Sequence, residues 1–192
     1  MSNVYFIMGR PATGKSTTAK LLYDELNNSK KCFLIDADDL SKHKVMPKIG
    51  DFSLGARLTR AKHLVKLINW LSDQYEIIIV AAIGQPKEAR LIWRKKIENS
   101  FFIYLKSEIS SCEKRDFKGI YSLKENVIGK DIPFDEPNES DLIIENNNIS
   151  ANDVLQIILK NLQMFANSAD LKSNEFFRFL QNSTDFSFSA DF

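Results

Sequence analysis

The residues with the clearest chemical potential are Gly9-Arg10-Pro11-Ala12-Thr13-Gly14-Lys15-Ser16, which read Gly-x-x-x-x-Gly-Lys-Ser. That spacing suits the gripping of a polyphosphate. Glycines let the backbone curl until successive N–H groups point at one anion. A helix opening at Lys15 adds the partial positive charge of its N-terminus. Lys15 is then placed to reach the β- and γ-phosphates of a nucleotide, and the Ser16 hydroxyl to hold Mg²⁺. Arg10, Pro11, Ala12, Thr13 and Thr17 belong to the same stretch of contact with ATP. A chance glycine turn is the competing reading. It is weakened by context, because an apolar run precedes the loop and a helical pattern follows it, as the motif requires. The loop alone leaves kinase, ATPase and GTPase chemistry open. The guanine-reading Asn-Lys-x-Asp pattern of a GTPase does not occur in the chain.

Such a loop needs a strand to deliver it and a helix to receive it. Val4 to Met8 is a short apolar run ending at glycine and reads as a buried strand. Lys15 to Leu26 has helical spacing, with Ala19, Leu22 and Leu26 on one face. Cys32 to Ile35 reads as a second strand closed by an acidic turn. Ala56 to Leu71 reads as a long helix with Leu64, Leu67, Ile68 and Leu71 as its stripe. Ile77 to Ile83 is apolar without alternation, as in a strand covered on both faces of a parallel sheet. Lys87 to Glu98 reads as a basic helix, Phe101 to Leu105 as a strand and Ser107 to Arg115 as a short helix. Leu142 to Ile144 reads as a last strand and Ala151 to Phe165 as a closing helix. Strands alternating with helices predict an α/β fold of three layers, α/β/α, around a mostly parallel five-stranded sheet, the P-loop NTPase arrangement. Ligands bind beyond the carboxyl ends of such strands. The expected domain is 1–165. Residues 166–192, rich in Ser, Asn, Asp and Phe, are expected to be a partly helical or disordered tail, loose or docked through Phe186, Phe188 and Phe192.

Composition limits the alternatives. The 192 residues suffice for one domain, and 44% hydrophobic with 27% charged residues is ordinary for a globular protein. A formal net charge of +1 gives no footprint for a nucleic-acid polymer. Cys32 and Cys112 lack metal-type spacing and read as reduced, packed thiols. The apolar run Val4 to Met8 is too short for a signal peptide, and no run approaches a membrane span. A cytoplasmic protein without membrane attachment is expected.

Three further segments narrow the chemistry: FLIDADDL at Phe33 to Leu40, CEKRDFKGIY at Cys112 to Tyr121, and IPFDEP at Ile132 to Pro137. Together with the phosphate loop they resemble the adenylylsulfate kinase family, which phosphorylates the ribose 3′-hydroxyl of a nucleotide. Arg-Asp-x-Lys-Gly-x-Tyr is the most specific part of the likeness, which runs from the first strand to about Phe165. The resemblance implies ATP and Mg²⁺ as cofactors, a small nucleotide as acceptor and a homodimer. It places Asp38, in the family's Asp-Gly-Asp turn, as the residue that receives the acceptor's hydroxyl proton or orders the Mg²⁺ shell together with Ser16. A carboxylate suits both jobs. A plain helix cap is the bland alternative for Asp36 to Asp39, and it suits Asp39 better than Asp38. The likeness also places Asp36, Phe52, Arg57, Arg60, Ile83, Lys87 and Lys118 on the acceptor, with Arg90 beside Lys87, and Arg115 on the ATP side. Phe52 would stack on the acceptor's base, Arg57 would grip its anionic bridge with two N–H groups, and Lys118 would belong to a cationic lid. As bland alternatives, Phe52 is core filler and each cation a solvated charge.

The departures from the family gather on the acceptor side. Ser41 and Arg60 stand where the family has arginine and asparagine. Lys62 and His63 replace two arginines, Ala82 an aromatic, Gly84 a serine, and Val127 the second base-stacking phenylalanine. The lid between Tyr121 and Gly129 is shortened. A lost base stack costs roughly 1–3 kcal/mol. Donor chemistry therefore reads as intact and the acceptor pocket as rebuilt, which fits a pyrimidine acceptor such as cytidine diphosphoramidate, used in capsule phosphoramidate synthesis. A true adenylylsulfate kinase of sulfate assimilation and a non-catalytic nucleotide-binding module are the alternatives.

Overall fold

Apolar runs without polar alternation become strands covered on both faces. The computed structural model describes residues 2–46, 53–117, 119–123 and 127–169. Five strands form one sheet in the order β2-β3-β1-β4-β5: β1 Asn3–Met8, β2 Cys32–Asp36, β3 Ile77–Ala82, β4 Ser100–Lys106 and β5 Leu142–Glu145. Every pairing among them is parallel. Period-2 alternation along β1 sends Tyr5 and Ile7 into one hydrophobic layer and Val4, Phe6 and Met8 into the other. Helices α1 (Lys15–Leu26) and α7 (Ala151–Ala169) cover the first face. Helices α3 (Leu54–Leu71) and α4 (Lys87–Lys96) cover the second. Three short helices complete the described chain: α2 (Ala37–Lys42), α5 (Ile109–Lys114) and α6 (Ile120–Leu123). Among the described residues, no helix is long and apolar enough to cross a membrane.

The expected strands and long helices all appear, α1 with the expected bounds and the others with one or both ends shifted. The acidic turn after β2 is helix α2, because the Asp36 carboxylate accepts the Asp38 N–H at 2.9 Å and caps it. Helix α3 starts two residues earlier than its apolar stripe suggests, because the Ser53 hydroxyl caps it by accepting from the Ala56 N–H. Ser150 and Asp153 cap α7 reciprocally through backbone N–H groups. That helix continues through Ala169, past residue 165. Residues 170–192 lie outside the described residues. Cys32 and Cys112 are buried and free, with thiols pushed up by burial, that of Cys32 to about 11.

The site follows from the sheet order. Strand β1 lies between β3 and β4, so the chain leaves it at the point where connections diverge to either side. A crevice opens there beyond the carboxyl ends.

Candidate active site

The phosphate loop emerges from β1 into that crevice. Gly9 takes a φ of +149°, and a Cβ there would meet Leu105 O at 2.7 Å and the Thr13 hydroxyl at 2.9 Å, so only glycine fits. Gly14 takes a φ of +86° at the mouth of α1. Arg10 O receives both the Lys15 ammonium at 2.7 Å and the Thr13 hydroxyl at 3.0 Å. The loop is braced from two more sides. Asn146, just past β5, donates its side-chain amide to Thr13 O at 2.7 Å, and the Tyr121 hydroxyl donates to Pro11 O at 3.1 Å.

A cleft of about 780 Å³ opens over the loop. Pro11 through Thr18 line it, as do Asp38, Ser41, Lys42, Ile83, Arg115 and Asn146. Ile149, Ala151 and Val154 give it an apolar end, suited to a base. A second cavity of about 200 Å³ adjoins it, lined by Arg57, Arg60, Met46, Ala82, Gly84, Gln85 and Trp93 among others. Asp38, Ser41, Ile83 and Ile128 belong to both linings. A carboxylate thus stands on the wall between a phosphate-gripping cleft and a smaller pocket carrying two guanidinium groups. Arg57 and Arg60 are one helical turn apart on α3 and half-buried. Burial, and then the neighbouring charge of Arg60, lower the pKa of Arg57. Two like charges one turn apart on a helix repel each other.

Several sequence-picked residues are employed elsewhere. Asp36 spends its carboxylate on the α2 cap and lines neither cavity. Lys87 is exposed and lines neither, while its backbone N–H donates to Asp135 Oδ2 at 2.6 Å. Gly9 and Arg10 shape the loop without lining the cleft. Arg90 is 1% exposed and fully engaged by protein. It donates to Glu139 at 2.7 Å, Gly84 O at 2.7 Å and Asp135 O at 2.9 Å, which corrects the expectation that it faces an acceptor. Arg115 lines the cleft but hands its guanidinium to Asn146 O, Ser107 Oγ and Ser111 O. Val127 packs with Cys112 and Tyr121 on the phosphate-loop side, and among the described residues of the lid Ile128 reaches the smaller cavity. Phe52 and Lys118 lie outside the described residues.

Sequence reasoning missed Asn146, Ser107 and Ile128. Asn146 had a usable signal: an amide side chain directly after a predicted strand lies at the sheet's carboxyl end. Ser107 and Ile128 had none, since their roles depend on partners far away in the chain.

Comparison with known proteins gives this geometry a lineage. The family described as Adenylylsulphate kinase matches residues 1–145. The cytidine diphosphoramidate kinase of Campylobacter jejuni is 30% identical over 173 residues, covering 84% of this chain and 96% of its own. The adenylyl-sulfate kinase of Bacillus licheniformis is 28% identical over 152 residues, covering 75% and 76%. Among solved structures, the Mycobacterium tuberculosis APS kinase in complex with AMPPNP and APS superposes with a TM-score of 0.73 at 22% identity, over 84% of this chain and 98% of that one, a likeness that speaks to the fold. With its phosphate loop, its all-parallel sheet and a family match over most of its length, this chain belongs to the adenylylsulphate kinase family of nucleotide phosphotransferases.

Proposed function

We propose that this protein transfers the γ-phosphoryl group of ATP to the ribose 3′-hydroxyl of a nucleotide, with cytidine diphosphoramidate as the favoured acceptor. The observation that carries the reading is the shared wall. Asp38 lines both the cleft over the phosphate loop and the pocket holding Arg57 and Arg60. ATP takes the larger cleft, with its phosphates on the loop N–H groups and Lys15. The acceptor takes the smaller pocket, with its anionic bridge on Arg57 and Arg60. Asp38 accepts the acceptor's hydroxyl proton as that oxygen bonds to the γ-phosphorus. The bond from the γ-phosphorus to the bridging oxygen breaks, and ADP leaves with the electron pair. Lys15 offsets the charge that develops.

The residues present fit Mg²⁺. Ser16 and Asp38 line one cleft and offer hard oxygen donors, and a magnesium ion takes most of its remaining ligands from water and phosphate. When bound, the ion neutralises phosphate charge. The preference for a cytidine nucleotide rests on the small pocket, on Ala82 and Gly84 in its wall, and on a 30% identical relative that acts on cytidine diphosphoramidate by name. Adenylyl sulfate is the second reading, supported by the family match and the adenylyl-sulfate kinases at comparable identity.

The test is ADP release from Mg-ATP with cytidine diphosphoramidate, CDP, adenylyl sulfate or buffer alone. The new phosphate is located by ³¹P–¹H coupling in the product. Acceptor-dependent ADP with phosphate on the 3′-oxygen is expected. The absence of any acceptor-dependent ADP would overturn the reading and favour a module that binds nucleotide without turning it over.

A further inference from the structure

Residue 10 works at both of its ends. Its carbonyl holds Lys15 Nζ, and its guanidinium reaches away from the cleft to the segment after the lid. Nη2 pairs with Glu136 Oε1 at 2.7 Å, Nη1 donates to Ser107 O at 2.8 Å, and the group lies 5.0 Å from the centre of the Phe134 ring. Gly129, at a φ of +90°, lets the lid backbone approach: a Cβ there would come within 3.0 Å of Arg10 Cδ.

The far side of the same segment is held by a second arginine. The nearly inaccessible Arg90 binds Asp135 O, Glu139 and, at 3.4 Å, Glu136 O, and it also binds Gly84 O in the wall of the smaller cavity. Gln85, in that same wall, donates to Pro133 O at 3.0 Å and accepts from the Asp135 N–H at 3.2 Å. Residues 133–139 are thus gripped from the phosphate loop by Arg10 and from the acceptor pocket by Arg90 and Gln85. Nothing about binding ATP alone requires a loop arginine to reach out of the cleft.

We propose that Arg10 is a positioning residue: its clamp on Glu136 uses the 133–139 segment as a strut that keeps the phosphate loop in register with the acceptor pocket. This rests on the reading that the smaller cavity takes the acceptor. Transfer needs donor and acceptor oxygens aligned within a fraction of an ångström, so losing the strut costs rate rather than ATP affinity. Occupancy of the loop is felt along the strut, and the effect is reciprocal.

Hydrogen exchange of the full chain with and without AMPPNP tests this directly. In the unaltered protein, nucleotide protection is expected to extend from residues 9–18 to 129–139 and 84–90. In Arg10→Met, and in the milder Glu136→Gln, whose side chain is only partly buried, it is expected to stop at the loop. Equal protection of 129–139 with and without the clamp, or none in either, overturns the proposal. Kinetics with the acceptor that turns over faster give the second readout. Each single variant is expected to lose of order tenfold to a hundredfold in kcat, with the KM for ATP nearly unchanged and the double variant no worse than either single. Losses that multiply, or that fall on the KM for ATP, overturn it. Should no acceptor support turnover in the unaltered protein, the acceptor reading falls, while the exchange data still decide the clamp.

Discussion

Asp38 stands between two cavities because β2 ends at Asp36 and the chain turns at once into α2. The cap fixes the direction in which the next carboxylate leaves the backbone. Asp38→Asn keeps the side chain's size and removes its ability to take a proton. Transfer is expected to fall at least about a hundredfold with ATP affinity within a few-fold, by paired turnover and nucleotide titration. Transfer at a near-normal rate would contradict the assignment. Arg60→Asn removes one cation from the acceptor pocket and restores the residue that the family resemblance implies there. The acceptor KM is expected to rise about tenfold or more, with the KM for ATP unmoved. At this scale the placement of residues was legible where chemistry dictates residue type: Gly14, Lys15, Ser16 and Asp38 line the cleft, and Gly9 shapes its loop. It was least legible for arginines, because a guanidinium reads alike whether it meets a phosphate or a carbonyl. Arg90 and Arg10 were settled only by the partners that folding brings to them.

The elements place the loop by close backbone contact. Gly9 lies between β1 and the end of β4, and Gly9→Ala would push a Cβ into Leu105 O. Backbone strain of roughly 1–3 kcal/mol, a Tm lower by roughly 2–12 °C and weakened ATP binding are expected, by calorimetry and titration. The strut should show in acid. Burial pushes the Glu139 carboxyl up, but the hydrogen bond and charge of Arg90 outweigh it and leave the group below its ordinary value. A depressed carboxylate stabilises the fold above its unfolded pKa of about 4.3, and that stability is lost as pH falls through the folded value. The Tm gap between the unaltered protein and Glu139→Gln should therefore be widest above about pH 5 and shrink below about pH 4. A gap independent of pH would speak against the ion pair. Strands and long helices were legible from apolar runs and helical stripes. Their ends were not, because the caps at Asp36 and Ser53 extend helices beyond the apolar stripe.

At the scale of the molecule, two binding regions meet where the strand connections diverge. Of the departures from the family resemblance, Arg60, Ala82 and Gly84 line the smaller cavity, Val127 lines the larger and Ser41 lines both. Family resemblance leads us to expect a homodimer in solution, for which sedimentation equilibrium should give twice the chain's mass; the monomer mass would contradict it. The central claim concerns the acceptor. Its most direct test is the ratio of kcat/KM for cytidine diphosphoramidate to that for adenylyl sulfate under Mg-ATP. The acceptor pocket, of about 200 Å³, takes from the described lid residues the aliphatic Ile128 and no stacking ring; a missing base stack, worth roughly 1–3 kcal/mol to an adenine nucleotide, leads us to expect a ratio of about ten or more in favour of the cytidine nucleotide. A preference for adenylyl sulfate would contradict the account.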